Sequence, residues 1–325
     1  MLSSCSTLGF QGVVNHGFEE EVSRAVRLLE ATFATSSKAQ MNSWRKPNLG
    51  YGPGLQQPKQ MANEHYTTLQ GNYNACTRED FIFVNPDAAV RKRDGDPYYN
   101  NSAAQPWCGD VENRCPDAAT EEALTAYYRA METLSQRLLA LTGEALENDP
   151  SLLSRFSVRH TTNAVAGFHG ASSAAAPRAR EMVSAHSDTG LLTLLAYGSS
   201  GMRGLELRDP SGSWLHVEDG SLPEGALLLN VGDMLHRLTN GRFLSTPHRV
   251  VERGGDREGA RKARMALIFF FAPAYDAQLE PVVEEGGEAK FDPVVAGRLT
   301  HNYLTAPAEQ RDAFDEFCRK EGLLV

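Results

Sequence analysis

From about residue 155 to residue 272 the apolar residues recur with a period of two, and that alternation limits the chain to architectures built from short strands. The runs Met182 to Asp188, Leu191 to Ala196, Leu205 to Arg208, Trp214 to Glu218, Ala226 to Val231, Arg249 to Glu252 and Arg264 to Ala272 each read as a strand. Gly, Pro, Asp and Ser stand between them as turn punctuation. Many short strands at this spacing predict an antiparallel sandwich or jelly roll, mainly β with supporting helices, and not a doubly wound parallel sheet.

The first half reads differently. Leu8 to Val14 is a short strand candidate, and from Glu19 the positions Val22, Val26, Leu29 and Phe33 recur at helical spacing. Residues 45–120 are rich in Gly, Pro, Asn and Gln and offer one clear strand, Phe81 to Val84; the rest reads as irregular covering structure. Thr120 is the expected N-cap of a long helix with Glu121 and Glu122 in its first turn, where they complement the helix dipole. Leu124, Tyr127, Met131, Leu134, Leu138 and Leu141 then form a single apolar stripe that needs a sheet to lie on. The expectation is one domain over 1–325, with a helical and irregular region at 1–150, a jelly-roll core at 155–275 and a C-terminal segment at 276–325.

Composition narrows the function. The 41 acidic against 32 basic residues give a net charge of −9, with no lysine or arginine cluster suited to a phosphate backbone, so nucleic acid is not an expected partner. No secretion signal and no apolar run of membrane-spanning length is present, which predicts no membrane association and a cytoplasmic location. The five cysteines are scattered and lack a CxxC pair, in keeping with reduced thiols. No coiled-coil heptad calls for a partner, and the oligomeric state is not readable. Hydrolase, kinase and dinucleotide motifs are absent: no G-x-S-x-G, no G-x-x-x-x-G-K and no G-x-G-x-x-G.

His186 and Asp188 stand two apart on a predicted strand, so both side chains project from one face toward one point. Such a pair is common by chance and needs a third ligand. His248, in Ser245-Thr246-Pro247-His248-Arg249-Val250, lies where a new apolar strand begins. Two neutral imidazoles and one carboxylate on one side of a metal leave the opposite positions open, the facial arrangement that suits non-haem Fe(II) and O2. Arg264 shares a strand face with Ala266, Ile268 and Phe270. A guanidinium there needs a carboxylate partner, and its fork suits a dicarboxylate co-substrate; a 2-oxoacid would chelate iron at one end and meet Arg264 at the other. An ion pair with an Asp or Glu of the same chain is the other use of such an arginine.

Taken together, the ordered set resembles the isopenicillin N synthase-like branch of the 2-oxoglutarate/Fe(II) dioxygenases. The set runs through Gly9-Phe10-Gln11-Gly12-Val13-Val14-Asn15-His16-Gly17, His186, Asp188, Asn230-Val231-Gly232-Asp233, Thr239-Asn240-Gly241, His248-Arg249-Val250, Arg264 and Phe269-Phe270-Phe271-Ala272-Pro273. The resemblance covers most of the chain. It implies a double-stranded β-helix of cupin-like type, iron on His186, Asp188 and His248, and 2-oxoglutarate on Arg264. It further implies oxidation of a small organic molecule (hydroxylation, desaturation or ring closure) in specialised metabolism, with release of succinate and CO2.

Two departures qualify this. The serine usually found two after the arginine is Ala266 here, and the usual Asn-Tyr-Tyr stretch is Thr161-Thr162-Asn163, so Thr161 or Asn163 is expected to stand in as a co-substrate contact. By the same resemblance the chain begins inside the family's N-terminal region. Tyr51, Tyr66, Asn72, Arg78 and His169 are the candidates for substrate contact, with a solvated loop as the other reading of His169. Asn15-His16-Gly17 and Asn230, Gly232 and Asp233 read as turns with a structural role. His160, His216 and His236 lack a ligand partner at matching spacing. Two rival functions share the fold: an oxidase that uses the same metal without 2-oxoglutarate, and a non-catalytic sensor.

Overall fold

The computed structural model describes residues 2–43, 45–46, 49–53, 78–87, 113, 115–147, 149–157, 163–169, 180–199, 201–217, 222–252, 264–300, 308–320 and 322–323. The first half comprises helix α1 (Leu2–Thr7), strand β1 (Phe10–Val13), helices α2 (Glu19–Thr35) and α3 (Lys38–Ser43), strands β2 (Arg45–Lys46), β3 (Leu49–Pro53) and β4 (Arg78–Val84), and the long helix α4 (Ala118–Glu147). Strands β5 (Asn163–His169), β6 (Arg180–His186), β7 (Leu192–Tyr197), β8 (Leu205–Arg208), β9 (Trp214–His216) and β10 (Leu227–Val231) follow. A short helix α5 (Asp233–Leu238), β11 (His248–Glu252), β12 (Arg264–Phe271), the small hairpin β13 (Gln278–Leu279) and β14 (Val294–Val295), and α6 (Ala308–Lys320) complete the order.

The strands form a large sheet ordered β1-β10-β7-β12-β5-β4-β3-β2 and a small sheet ordered β6-β11-β8-β9, with every pairing antiparallel. Sequence neighbours β6 and β7 fall in different sheets, as a jelly roll requires. On β12, Met265, Leu267, Phe269 and Phe271 enter the main core with the apolar stripe of α4 and the buried face of α2, while the alternate residues Arg264, Ala266, Ile268 and Phe270 line a cavity between the sheets. Phe269 meets the rings of Tyr127 and Tyr128 edge-on, with centroids 6.3 and 5.0 Å away, so the stripe of α4 does lie on a sheet.

Several local expectations need correction. The cap of α4 is Asp117, whose Oδ1 accepts the Thr120 backbone N–H at 2.7 Å, whereas Thr120 sits inside the first turn and is buried. The segment expected to be irregular contributes two further strands, β2 and β3, to the edge of the large sheet. Strand β5, with its Ala- and Gly-containing sequence Asn-Ala-Val-Ala-Gly-Phe-His, lies between β12 and β4 and gave little β signal because small residues are weak strand formers. Helix α1 was likewise not foreseen. Asp188 stands beyond the end of β6, in the loop to β7, and not on the strand itself. No helix among the described residues is long and apolar enough to cross a membrane.

Candidate active site

His186 is the last residue of β6 and His248 the first of β11, and the two are paired directly across the small sheet. Their rings lie 4.4 Å apart at 51°. The loop after β6 brings Asp188 back to them, with its Oδ1 at 3.7 Å from His186 Nε2 and 4.0 Å from His248 Nε2. All three ligand atoms fall within 4.8 Å of one another, and no other group of three such residues occurs among the described residues. Two imidazoles plus one carboxylate on one side of a common point is the donor set of a non-haem Fe(II) centre with open positions.

Hydrogen bonds from neighbouring strands fix which atoms face that point. Thr193 Oγ1 on β7 and Asn230 Nδ2 on β10 each donate to Asp188 Oδ2 at 2.7 Å, so Oδ1 is the oxygen turned to the imidazoles. The Thr246 carbonyl accepts from His248 Nδ1 at 3.1 Å, which keeps the proton on Nδ1 and leaves the Nε2 lone pair for a metal. Burial pushes the Asp188 carboxyl upward, but the adjacent His248 and His186 and its two hydrogen-bond donors outweigh that and hold it below the usual range. The anionic, ligating form is the one favoured.

The loop that carries Asp188 is gripped by residues 230–234. The Asp233 backbone N–H donates to the Asp188 carbonyl at 2.7 Å, and the Asp233 side chain accepts from Ser187 at 3.1 Å and Ser245 at 2.5 Å, so it spans the approaches to two ligands. Gly232 is needed here because a Cβ would lie 2.1 Å from the Gly190 carbonyl oxygen. The Asn230-Val231-Gly232-Asp233 stretch therefore has the structural role expected of it, as a holder for the loop of Asp188, but Asn230 lies on strand β10 and not in a turn. Thr193 gave no signal beyond its place on an alternating strand. Strand β1 also reaches the centre, since Phe10 stands edge-on to His248 with centroids 5.4 Å apart.

A cavity of about 70 Å3 joins His186, Asp188 and His248 to Arg264 of β12. Val183, Leu205, Val250, Ile268 and Phe270 supply its apolar walls. Arg264 thus opens into the same space as the metal triad, although the two arise from opposite sheets. In register, Arg264 pairs with His169, which pairs in turn with Arg78, so these three candidates occupy one row across β12, β5 and β4. The loop reading of His169 is corrected, as it closes strand β5. The next inward row carries Ala266, Gly167 and the buried Asp80.

Asn163 pairs with Phe270, six positions along β12 from Arg264, which is about 20 Å at strand rise. It is placed at the wrong end to replace a donor beside the arginine. Tyr51, on β3, pairs with Phe81 of β4 and stands three strands from Arg264's β12 in the large sheet, while Thr161, Tyr66, Asn72 and His160 lie outside the described residues. Of the other histidines, His16 Nε2 meets the Gly225 carbonyl at 2.9 Å in a turn where Asn15 has φ 54° and Gly17 φ 84°, and His236 Nδ1 meets the Phe243 carbonyl at 2.5 Å. Both serve structure.

Residues 161–273, the span that contains the triad and Arg264, match the family model of the 2OG-Fe(II) oxygenase superfamily. Residues 161–273 are a 2OG-Fe(II) oxygenase domain. Among curated relatives of this 2OG-Fe(II) oxygenase, gibberellin 2-beta-dioxygenase 2 of Oryza sativa subsp. japonica is 27% identical over 86% of this chain and 71% of its own length. Gibberellin 3-beta-dioxygenase 1 of the same plant is 30% identical over 84% of this chain and 64% of its own. A 2OG-Fe(II) oxygenase family protein from Caulobacter crescentus superposes with a TM-score of 0.71 at 20% identity, covering 93% of this chain and 92% of that one. Neurospora crassa T7H, solved with alpha-KG and thymine, gives 0.65 at 18% identity over 94% and 90%. The oxygenase is a jelly roll that uses Fe(II), 2-oxoglutarate and O2, and its triad and apolar cavity fit that set.

Proposed function

We propose that His186 Nε2, Asp188 Oδ1 and His248 Nε2 hold the iron, that Arg264 receives the far carboxylate of 2-oxoglutarate, and that the chain oxidises a small organic molecule. One observation carries this reading: the three ligand atoms and the arginine open into a single cavity from two different sheets. When bound, the iron and its co-substrate supply the oxidising chemistry, with succinate and CO2 as by-products. The chain's own residues do the positioning. Thr193 and Asn230 present one oxygen of Asp188, the Thr246 carbonyl sets the tautomer of His248, and the apolar walls keep water from the reacting atoms.

The relatives' names point to small-molecule substrates, gibberellins among them, and the apolar walls suit the carbon skeleton of such a molecule. The position of the substrate C–H bond relative to the metal sets whether the outcome is hydroxylation, desaturation or ring closure. Residues 1–325 act as one domain in this reading, within the isopenicillin N synthase-like branch, and the free thiols of Cys5, Cys115 and Cys318 suit a reducing, intracellular setting. Anaerobic titration with Fe(II) and then 2-oxoglutarate tests it through the visible charge-transfer band of the chelated complex. The band should vanish in His186→Ala and require far more 2-oxoglutarate in Arg264→Ala. Wild-type protein that binds iron without a band, and releases no succinate, would sink the co-substrate assignment.

A further inference from the structure

The second row of the clamp raises a separate question. Ala266, two residues after Arg264 on the same inward face, has no hydrogen-bonding side chain, and its neighbour on one side is Gly167, which has no side chain at all. Its neighbour on the other side is Tyr197, the last residue of β7, paired directly opposite Ala266. Residues paired across antiparallel strands share a face, and a long side chain also reaches its diagonal neighbour, here Arg264.

The Tyr197 hydroxyl is buried and has no hydrogen-bond partner among the described residues. Buried hydroxyls are almost always satisfied, so an orphan lining a ligand cavity points to a partner that arrives with the ligand. Burial raises the phenol's pKa, and the positive charge of Arg264 acts against that rise. The phenol is thus a neutral O–H donor at pH 7 and lies within electrostatic reach of the guanidinium. A carboxylate oxygen held by an arginine fork has lone pairs left for one more donor.

We propose that the Tyr197 hydroxyl donates to the far carboxylate of 2-oxoglutarate beside Arg264, as the third donor that Ala266 cannot supply. This rests on the assignment of Arg264 as the carboxylate-binding residue. Tyr197 is a binding residue for the co-substrate in this scheme and has no part in holding the metal.

The test uses full-length protein with Fe(II) under nitrogen and reads the dissociation constant of 2-oxoglutarate from the charge-transfer band and from calorimetry. Tyr197→Phe keeps the ring and should weaken 2-oxoglutarate about 10-fold, the usual worth of one hydrogen bond to a charged group. It should leave Fe(II) affinity unchanged. It should also leave unchanged the affinity for 2-oxobutanoate, which chelates in the same way but has no far carboxylate. Ala266→Ser added to Tyr197→Phe should recover most of the loss. Equal weakening of both oxoacids, or no weakening of either, overturns the proposal. If Arg264→Ala leaves 2-oxoglutarate affinity intact, the arginine assignment has failed; if that variant weakens binding and Tyr197→Phe does not, only the tyrosine assignment has.

Discussion

Asn230 Nδ2 donates to Asp188 Oδ2 at 2.7 Å, and together with Thr193 it lets the large sheet decide which oxygen of a loop residue faces two histidines of the small sheet. Second-layer hydrogen bonds of this kind typically govern metal affinity by 10- to 100-fold. Asn230→Leu should therefore weaken Fe(II) binding by about that factor, and Thr193→Val by a similar one. Competition against a coloured chelator measures it. Affinity unchanged in both variants would mean the carboxylate is oriented by something other than these donors.

Gly232→Ala should damage the same centre by crowding. The added methyl would meet the Gly190 carbonyl oxygen at 2.1 Å, and backbone has little freedom to yield. A loss of about 1–3 kcal/mol of stability is expected, the usual cost of overpacking. Because the displaced segment carries Asp188, iron affinity should fall together with stability. Urea melts and metal titrations on one preparation would show whether the two move together.

Phe269→Ala should be costly for stability and mild for iron affinity. The ring is fully buried against Tyr127 and Tyr128, on the side of β12 away from the cavity. Removing it should cost about 3–5 kcal/mol. An urea midpoint close to that of the unaltered chain would show that α4 repacks onto the sheet without it.

The cap of α4 gives a pH prediction with a definite sign. The Thr120 backbone N–H bond, the largest contribution, holds the Asp117 carboxyl below its usual value. A group lowered by folding adds stability above its unfolded pKa of about 3.9 and loses it as pH falls through the folded value. Asp117→Ala should cost about 1 kcal/mol at pH 7, a typical N-cap loss, and the gap between the two proteins should close below about pH 4. Asp117 is exposed, so solvent screening keeps the purely charge-dependent part small. A gap that widens on acidification would rule out the cap.

The strands of the core could be read from local alternation, and the triad from residue type and order, because both are written in short stretches of chain. What joins those stretches is not. Asn230 and Thr193 lie on different strands, and only the β10–β7 pairing brings them to one carboxylate oxygen. The pattern Asn-Val-Gly-Asp was visible, yet its turn-like residue types concealed that Asn230 sits on a strand. Asp188 was placed on a strand because its neighbours alternate, although β6 ends at His186. Tyr197 carried no sequence signal either. It became distinctive only when Gly167 and Ala266 were found beside it in register.

Phe10, near the start of the chain, packs against His248, the ligand that comes last in sequence, while β1 is anchored on β10. Contacts across so much of the chain form late, because the loop entropy of closing them must be met before they stabilise anything. The iron pocket is thus a product of the final stages of folding. A refolding chain should bury Tyr127 and Tyr128 against Phe269 before it can capture metal, and the delay between the tyrosine signal and metal capture would measure how long the first strand takes to dock.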